Sequence, residues 1–197
     1  MFLQTTKTCA LFAPVGGCAK QLTPQAPTSI MGLLMKDDII LNVMVEIPKG
    51  SRNKYELDKE SGRIVFDRML FSSVHYPTDY GFLPDTLAAD GDPLDVLILL
   101  SEPTFPGCMI KARPVGLFSM KDEKGDDEKI LCIPVSDPLW NHIHELDQVP
   151  PHLLKEIEHF FNVYKDLEEK TVSVQGWDNR AAALKVIEEA QANFRKT

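Results

Sequence analysis

No stretch of about 18 consecutive apolar residues occurs in the chain, which excludes a membrane-spanning helix. No CxxC pair occurs either: Cys9, Cys18, Cys108 and Cys132 stand far apart. A zinc site or a disulfide framework needs tighter pairing, so reduced, structurally ordinary thiols in a cytosol-like compartment are expected. His75, His142, His144, His152 and His159 form no HExxH pair. His142 and His144 are spaced to face one ligand from an extended segment, but surface or loop histidines are the simpler reading. A GxxxxGKS or GxxxxGKT element is missing, and with it nucleotide hydrolysis of the P-loop kind. Positive charge is in deficit, with 21 basic against 29 acidic side chains and a formal charge of -8. That balance argues against a general nucleic-acid binder, which needs clustered Lys and Arg. Aliphatic residues are plentiful and evenly spread, with 44% of the chain hydrophobic, so most of it is not disordered.

Acid is wholly missing from residues 1–36, which are rich in Thr, Pro, Gly and Ala. They read as a poorly ordered N-terminal extension, residues 1–37, ahead of a single domain spanning 38–197. Its apolar stretches are too interrupted for a secretory signal; its hydroxyl content suits an organelle transit peptide, but it has no Arg. A cytoplasmic location is expected, with an organelle as the lesser alternative.

From Ile39 the chain alternates. Leu41, Val43, Val45 and Ile47 share one face of an expected strand over Ile39 to Pro48. Further strands are expected at Lys54 to Asp58, Gly62 to Leu70, Met109 to Met120 and Lys129 to Val135, with a loop of aromatics and prolines from Tyr76 to Pro84. Val96 to Leu100 is a five-residue apolar run suited to a strand buried on both faces. Pro150 and Pro151 open a helix whose face carries Leu153, Ile157, Phe160, Tyr164 and Leu167. A short strand is expected over Thr171 to Trp177, and Asp178 is placed to cap a second helix bearing Ala183, Ile187, Ala190 and Phe194. Many short strands followed by helices indicate an α+β fold built on a small closed or nearly closed barrel.

Nine acidic residues fall between Asp90 and Glu128, all but Glu102 in two knots, with none between positions 103 and 121. The first, Asp90-Gly91-Asp92-Pro93-Leu94-Asp95, runs directly into the apolar Val96 strand. Gly91 permits unusual backbone angles and Pro93 restricts Asp92 to extended geometry, so the carboxylates have fixed places. Such carboxylates repel one another unless a cation lies between them, and hard divalent ions prefer oxygen. An EF-hand is excluded, because Leu94 and Asp95 stand where that loop needs Asp or Asn and then Gly. In the second knot a hairpin turning at Lys124 and Gly125 sets Asp122 nearly opposite Asp127 and puts Asp127 and Lys129 on one face. A solvated turn accounts for either knot by itself.

Several cations and acids complete the pattern. Arg68 shares a strand face with Ile64, Phe66 and Leu70, an odd setting for an unpaired charge. Lys54, Glu56 and Glu46 fit either a wet strand surface or a polar cleft. Tyr80 and Tyr164 fit either packed aromatics or site groups, with Lys165 just beyond the helix face.

Taken in order, Glu46-Ile47-Pro48, Lys54-Tyr55-Glu56, Asp67-Arg68, Tyr76-Pro77-Thr78-Asp79-Tyr80-Gly81, Asp90 to Asp95 and Tyr164-Lys165-Asp166 resemble the soluble family I inorganic pyrophosphatases of the compact bacterial type. The resemblance runs from about Ile39 past Trp177. It implies a five-stranded OB-like β-barrel with extra strands and two flanking C-terminal helices, hydrolysing diphosphate to two phosphates with several Mg2+ ions, Mn2+ being able to substitute. Asp90, Asp95 and Asp127 would be metal ligands, and Asp122 would hold a further ion arriving with substrate. Asp92 would accept the proton of the attacking, metal-bridging water. Glu46 and Glu56 would act through metal-bound water or by orienting their neighbours. Lys54, Arg68, Tyr80, Lys129, Tyr164 and Lys165 would hold phosphoryl oxygens. A homo-oligomer, by resemblance a hexamer, is implied, with no nucleic-acid or membrane partner. The loop from Ser136 to Val149 has no confident counterpart. The competing reading, a non-catalytic OB-like module holding a phosphorylated ligand or cation, leaves Asp92 without a purpose.

Overall fold

The alternation around Val43 becomes β1 (Leu41–Ile47), whose Val43 and Val45 are fully buried. The computed structural model describes residues 39–123 and 125–196. The expectations for residues 1–37, and with them Cys9 and Cys18, lie outside the described residues. In order follow β2 (Asn53–Asp58), β3 (Arg63–Met69), β4 (Asp79–Leu83), β5 (Leu94–Ile98), β6 (Met109–Asp122) and β7 (Gly125–Pro134), then α1 (Pro151–Val163), β8 (Ser173–Asn179) and α2 (Arg180–Phe194). Two 3-10 turns, Leu146–Gln148 and Asp166–Glu168, flank α1. Among the described residues the fold is α+β, as expected.

β2 and β3 form a separate hairpin; the other six strands form one mixed sheet in the order β1-β4-β5-β7-β6-β8, and β1 also pairs with β6. The pairings β1–β4–β5–β7–β6–β1 therefore return to their start. The 14-residue β6 pairs with three strands: β1 through Met109 to Ala112, β8 through Gly116 to Lys121, and β7 along Ala112 to Asp122, with a bulge at Pro114 to Gly116. Pro114 has no N–H for a continuous ladder, which suits that irregularity. The β5–β7 pair is parallel and sets Asp95 beside Lys129.

Val96 to Leu100 is buried on both faces, as its uninterrupted hydrophobicity requires. Val96 and Ile98 join a core that takes Ala183, Ile187 and Ala190 of α2, while Leu97 and Leu99 join another that takes Ile157, Phe160 and Phe161 of α1. Period two sends alternate side chains to opposite sides of the sheet, so one strand feeds both cores.

Several boundaries differ from the expectations. The Tyr76 to Pro84 segment contains β4, held between β1 and β5 with Phe82 and Leu83 buried, although the run is too short and too rich in punctuating residues to read as a strand from sequence. Gly81 is the site of close approach: a Cβ there would stand 1.9 Å from the Met44 carbonyl oxygen. α1 stops at Val163, Leu167 is 66% exposed in the following 3-10 turn, and the buried helix face runs through Leu154 and Phe161 rather than Leu153. Asp178 does not cap α2; it pairs with Leu117 in β8, and the Asn179 side chain accepts the Ala182 N–H at 3.1 Å. Replacing Asn179 with Ala should cost about 1 kcal/mol, read as a lower urea midpoint with unchanged slope.

Candidate active site

One cleft of about 770 Å³ is lined by all thirteen side chains singled out from the sequence, brought from β1, β2, β3, β4, β5, β6, β7 and the segment after α1. Glu46 comes from β1, Lys54 and Glu56 from β2, Arg68 from β3 and Tyr80 from β4. Asp90 and Asp92 stand in the β4–β5 loop, Asp95 on β5, Asp122 at the end of β6, Asp127 and Lys129 on β7, and Tyr164 and Lys165 just after α1. The five histidines do not line it and are all exposed.

At its centre Lys129, only 2% exposed, donates to Asp95 Oδ2 at 2.7 Å and Asp127 Oδ1 at 2.6 Å. The parallel register accounts for this: Asp95 is the direct neighbour of Lys129, and Asp127 is two residues earlier on the same face. The Tyr80 hydroxyl also donates to Asp95 Oδ2. Burial pulls the Lys129 ammonium down, but Asp95 and Asp127 outweigh it and hold its pKa well above the ordinary value. Burial also pushes Asp127 up, against the pull of Lys129 and with the help of Asp95. One positive charge between two negative ones leaves a residual repulsion, so both shifts are consistent: the lysine stays charged and Asp127 bears the excess.

The second knot differs from its expected geometry. Asp122 pairs with Gly125, and Asp127 lies opposite Met120. The closing pair lies one residue earlier on both strands than a turn centred on Lys124 and Gly125 requires, with Gly125 at φ +127 opening β7. Asp122 and Asp127 are thereby diagonal neighbours on one face. Lys165 donates to Asp122 Oδ2 at 2.9 Å, both side chains being about one-tenth exposed. Tyr164 meets both of its readings: it lines the cleft and stacks on Phe160 at 5.3 Å.

In the first knot Gly91 adopts φ +85, and the Asp92 N–H donates to Asp90 Oδ1 at 3.0 Å. A Cβ on Gly91 would meet nothing within 4 Å, so the requirement is the backbone angle rather than space. Asp92 is 46% exposed and accepts from Lys59 at 2.6 Å, a lysine just beyond β2 that no sequence signal marked.

Glu46 is buried and accepts the Leu57 N–H at 2.7 Å. Burial, partly offset by that bond, pushes its carboxyl up to about 7. A carboxyl raised on folding adds stability that is present below its unfolded value and lost as pH rises through the folded one. The metal-free protein should therefore lose about 5–10 °C of Tm from this group between about pH 5 and about pH 8, and Glu46→Gln should flatten that slope. Lys54 contacts Glu56 and lies 3.5 Å from Asp67. Arg68 explains its odd setting through Asp67 at 2.5 Å and Glu168 at 3.1 Å. Glu168 was not marked by the sequence, and neither were Glu123 and Lys170, which also line the cleft or pair at its rim. Tyr76, whose ring packs between Tyr80 and Phe160 at 5.6 and 4.8 Å, also lines the cleft, a position that its motif alone does not disclose.

Among the described residues no three His, Cys, Asp or Glu side chains already converge as a ligand set. The donor chemistry nevertheless fits a hard cation: the carboxylates are oxygen donors, and the Lys129 ammonium already lies between two of them. A cleft in which acidic side chains hold cations and further cations line the walls defines a protein for a dense anion such as a phosphate compound.

Comparison with known proteins narrows this class. A family model described as inorganic pyrophosphatase matches residues 43–195. A protein of Methanosarcina acetivorans called inorganic pyrophosphatase is 62% identical over 160 residues, covering 81% of this chain and 95% of that one. A Synechocystis protein of the same name is 48% identical over 156 residues, covering 79% and 92%. The crystal structure of inorganic pyrophosphatase from Thermus thermophilus superposes with a TM-score of 0.78 at 43% identity, covering 81% of this chain and 94% of that one. The chain belongs to the inorganic pyrophosphatase family, and the reading as a non-catalytic module is set aside.

Proposed function

We propose that this chain hydrolyses inorganic diphosphate to two orthophosphates, with Asp92 taking the proton of the attacking water. The activity comes with the family; the assignment of roles rests on the position of Lys129 between Asp95 and Asp127, which joins two acidic segments around one positive charge. Asp90, Asp95 and Asp127, with Asp122, are the residues that would hold divalent ions, Mg2+ first and Mn2+ as a substitute. Such ions supply charge neutralisation and lower the pKa of bound water from about 15.7 towards about 7. Asp92 suits the base: it stands at the cleft mouth on a rigid turn and is open to solvent. Lys54, Arg68, Tyr80, Lys129, Tyr164 and Lys165 offer donors to phosphoryl oxygens, which count most as charge grows in the transition state. Glu46 and Glu56 orient neighbouring groups, Glu56 by its contact with Lys54.

The remaining assignments extend the same reading. The returning cycle of strand pairings supports a five-stranded OB-like barrel. The proposed organisation is an extension over 1–37 followed by the catalytic domain 38–197. A homohexamer is proposed by likeness to the compact bacterial type, testable by sedimentation. No helix among the described residues is long and apolar enough to cross a membrane. A cytoplasmic location is proposed, supported by the unpaired Cys108 and Cys132.

Purified protein with Mg2+ should release phosphate from diphosphate far faster than from triphosphate or ATP. Calcium alone should not support turnover, because its longer and looser coordination misplaces the reacting groups. Equal rates on ATP, or vigorous hydrolysis with calcium, would overturn the proposed site geometry.

A further inference from the structure

Arg68 differs in kind from the other cations lining the cleft, which are lysines. An ammonium is a point charge; a guanidinium is a planar fork with five N–H donors, useful to a phosphoryl group only when its plane is correctly set. Glu168 takes two of those donors, accepting from Nε at 3.1 Å and Nη2 at 3.1 Å. Asp67 takes a third, from Nη1 at 2.5 Å. Two N–H groups, one on each terminal nitrogen, are engaged by neither carboxylate.

The Glu168 side chain is 5% exposed, against 25% for Arg68, and lies 100 residues away in sequence. A carboxylate this buried, bonded through both oxygens, has little rotamer freedom and passes that constraint to its partner. Its backbone is fixed too: the Glu168 N–H donates to the Lys165 carbonyl at 2.9 Å. The same short turn thus carries Lys165, bonded to Asp122, and the group that holds Arg68. Lys170 approaches Glu168 at 3.5 Å and Glu123 at 3.6 Å, closing the rim.

We infer that Glu168 is a positioning residue that sets the plane of the Arg68 guanidinium relative to Lys165 without itself touching substrate. This rests on the reading of Arg68 as a phosphoryl-binding group. Charge alone predicts the opposite effect: a carboxylate beside Arg68 weakens anion binding, so its removal should tighten phosphate binding. The two accounts therefore differ in sign.

The experiment compares Glu168→Gln in the wild-type chain and in Arg68→Ala and Arg68→Lys chains, each with Mg2+. Diphosphate hydrolysis, calorimetric binding of inorganic phosphate and Tm are measured. With Arg68 present, Glu168→Gln should lower kcat/KM about tenfold and weaken phosphate binding; in either Arg68 variant its further effect should be less than about twofold. An equal loss in all three chains would mean a merely structural role and overturn the inference. Tighter phosphate binding with faster turnover would overturn it in favour of charge. If Glu168→Gln does not fold, Glu168→Asp, which keeps the charge but shortens the reach, should show the same Arg68-dependent loss. Arg68→Ala as active as wild type, or a wild type inert on diphosphate, would instead sink the underlying assignment of the site.

Discussion

Replacing Asp92 with asparagine lowers turnover of diphosphate by about 10² to 10⁴ while leaving the fold intact. The substitution keeps the shape of the side chain and removes its capacity to take a proton. Asp92 is 46% exposed, so no core packing depends on it, and Gly91 keeps the turn at φ +85 whichever residue follows. The Lys59 contact, 2.6 Å from an Asp92 oxygen, has an amide oxygen as a substitute acceptor. The loss should therefore appear in kcat at saturating Mg2+ and diphosphate, with Tm unchanged. A variant that turns over normally would show that another group takes the proton.

Changing Lys129 to methionine produces effects of opposite sign on metal binding and on turnover. Methionine retains most of the stem and fills much of the same space, but the charge between Asp95 and Asp127 is gone, and with it the approach of the ammonium to the Tyr80 and Phe161 rings. In metal-free protein those two carboxylates then face each other without a shared cation, costing about 3 kcal/mol of stability in denaturant titrations. A divalent ion no longer competes with the ammonium, so Mg2+ should bind about tenfold more tightly by calorimetry. Turnover should nevertheless fall about 10²-fold, since a donor to the phosphoryl oxygens has been removed. Unchanged Mg2+ affinity would place the ions away from Lys129, and full turnover would remove it from the substrate contacts.

The second prediction depends on a register that no local pattern discloses. A buried strand around Val96 is legible because five apolar residues in a row need burial on both sides, although β5 runs Leu94–Ile98 and ends two residues before the expected Leu100. Its parallel neighbour is not legible, since pairing energy is summed along the whole ladder and the partner lies more than 30 residues away. The hairpin of the second acidic knot shows the same limit at short range. Its existence follows from the charged turn between two apolar runs. Its closure at Asp122 and Gly125, rather than with Asp122 opposite Asp127, depends on which turn the strand twist accepts. β4 is not legible because tertiary burial of Phe82 and Leu83 overrides a local composition of Gly and Pro. The helix cap moved by one residue, from Asp178 to Asn179, because β8 extends through both positions.

The sequence by itself determined which chemistries were out of reach and where the acids lie. It also set the local frame of the first knot, since Gly91 and Pro93 act on backbone angles through nearest-neighbour sterics. Tertiary structure alone decided that Asp95 and Asp127 share Lys129, that Lys59 meets Asp92, and that Arg68 is held by Glu168 across 100 residues. Such pairs form only when two cores built on opposite faces of one sheet fix the register of every strand at once, a global packing condition that no short window of residues contains.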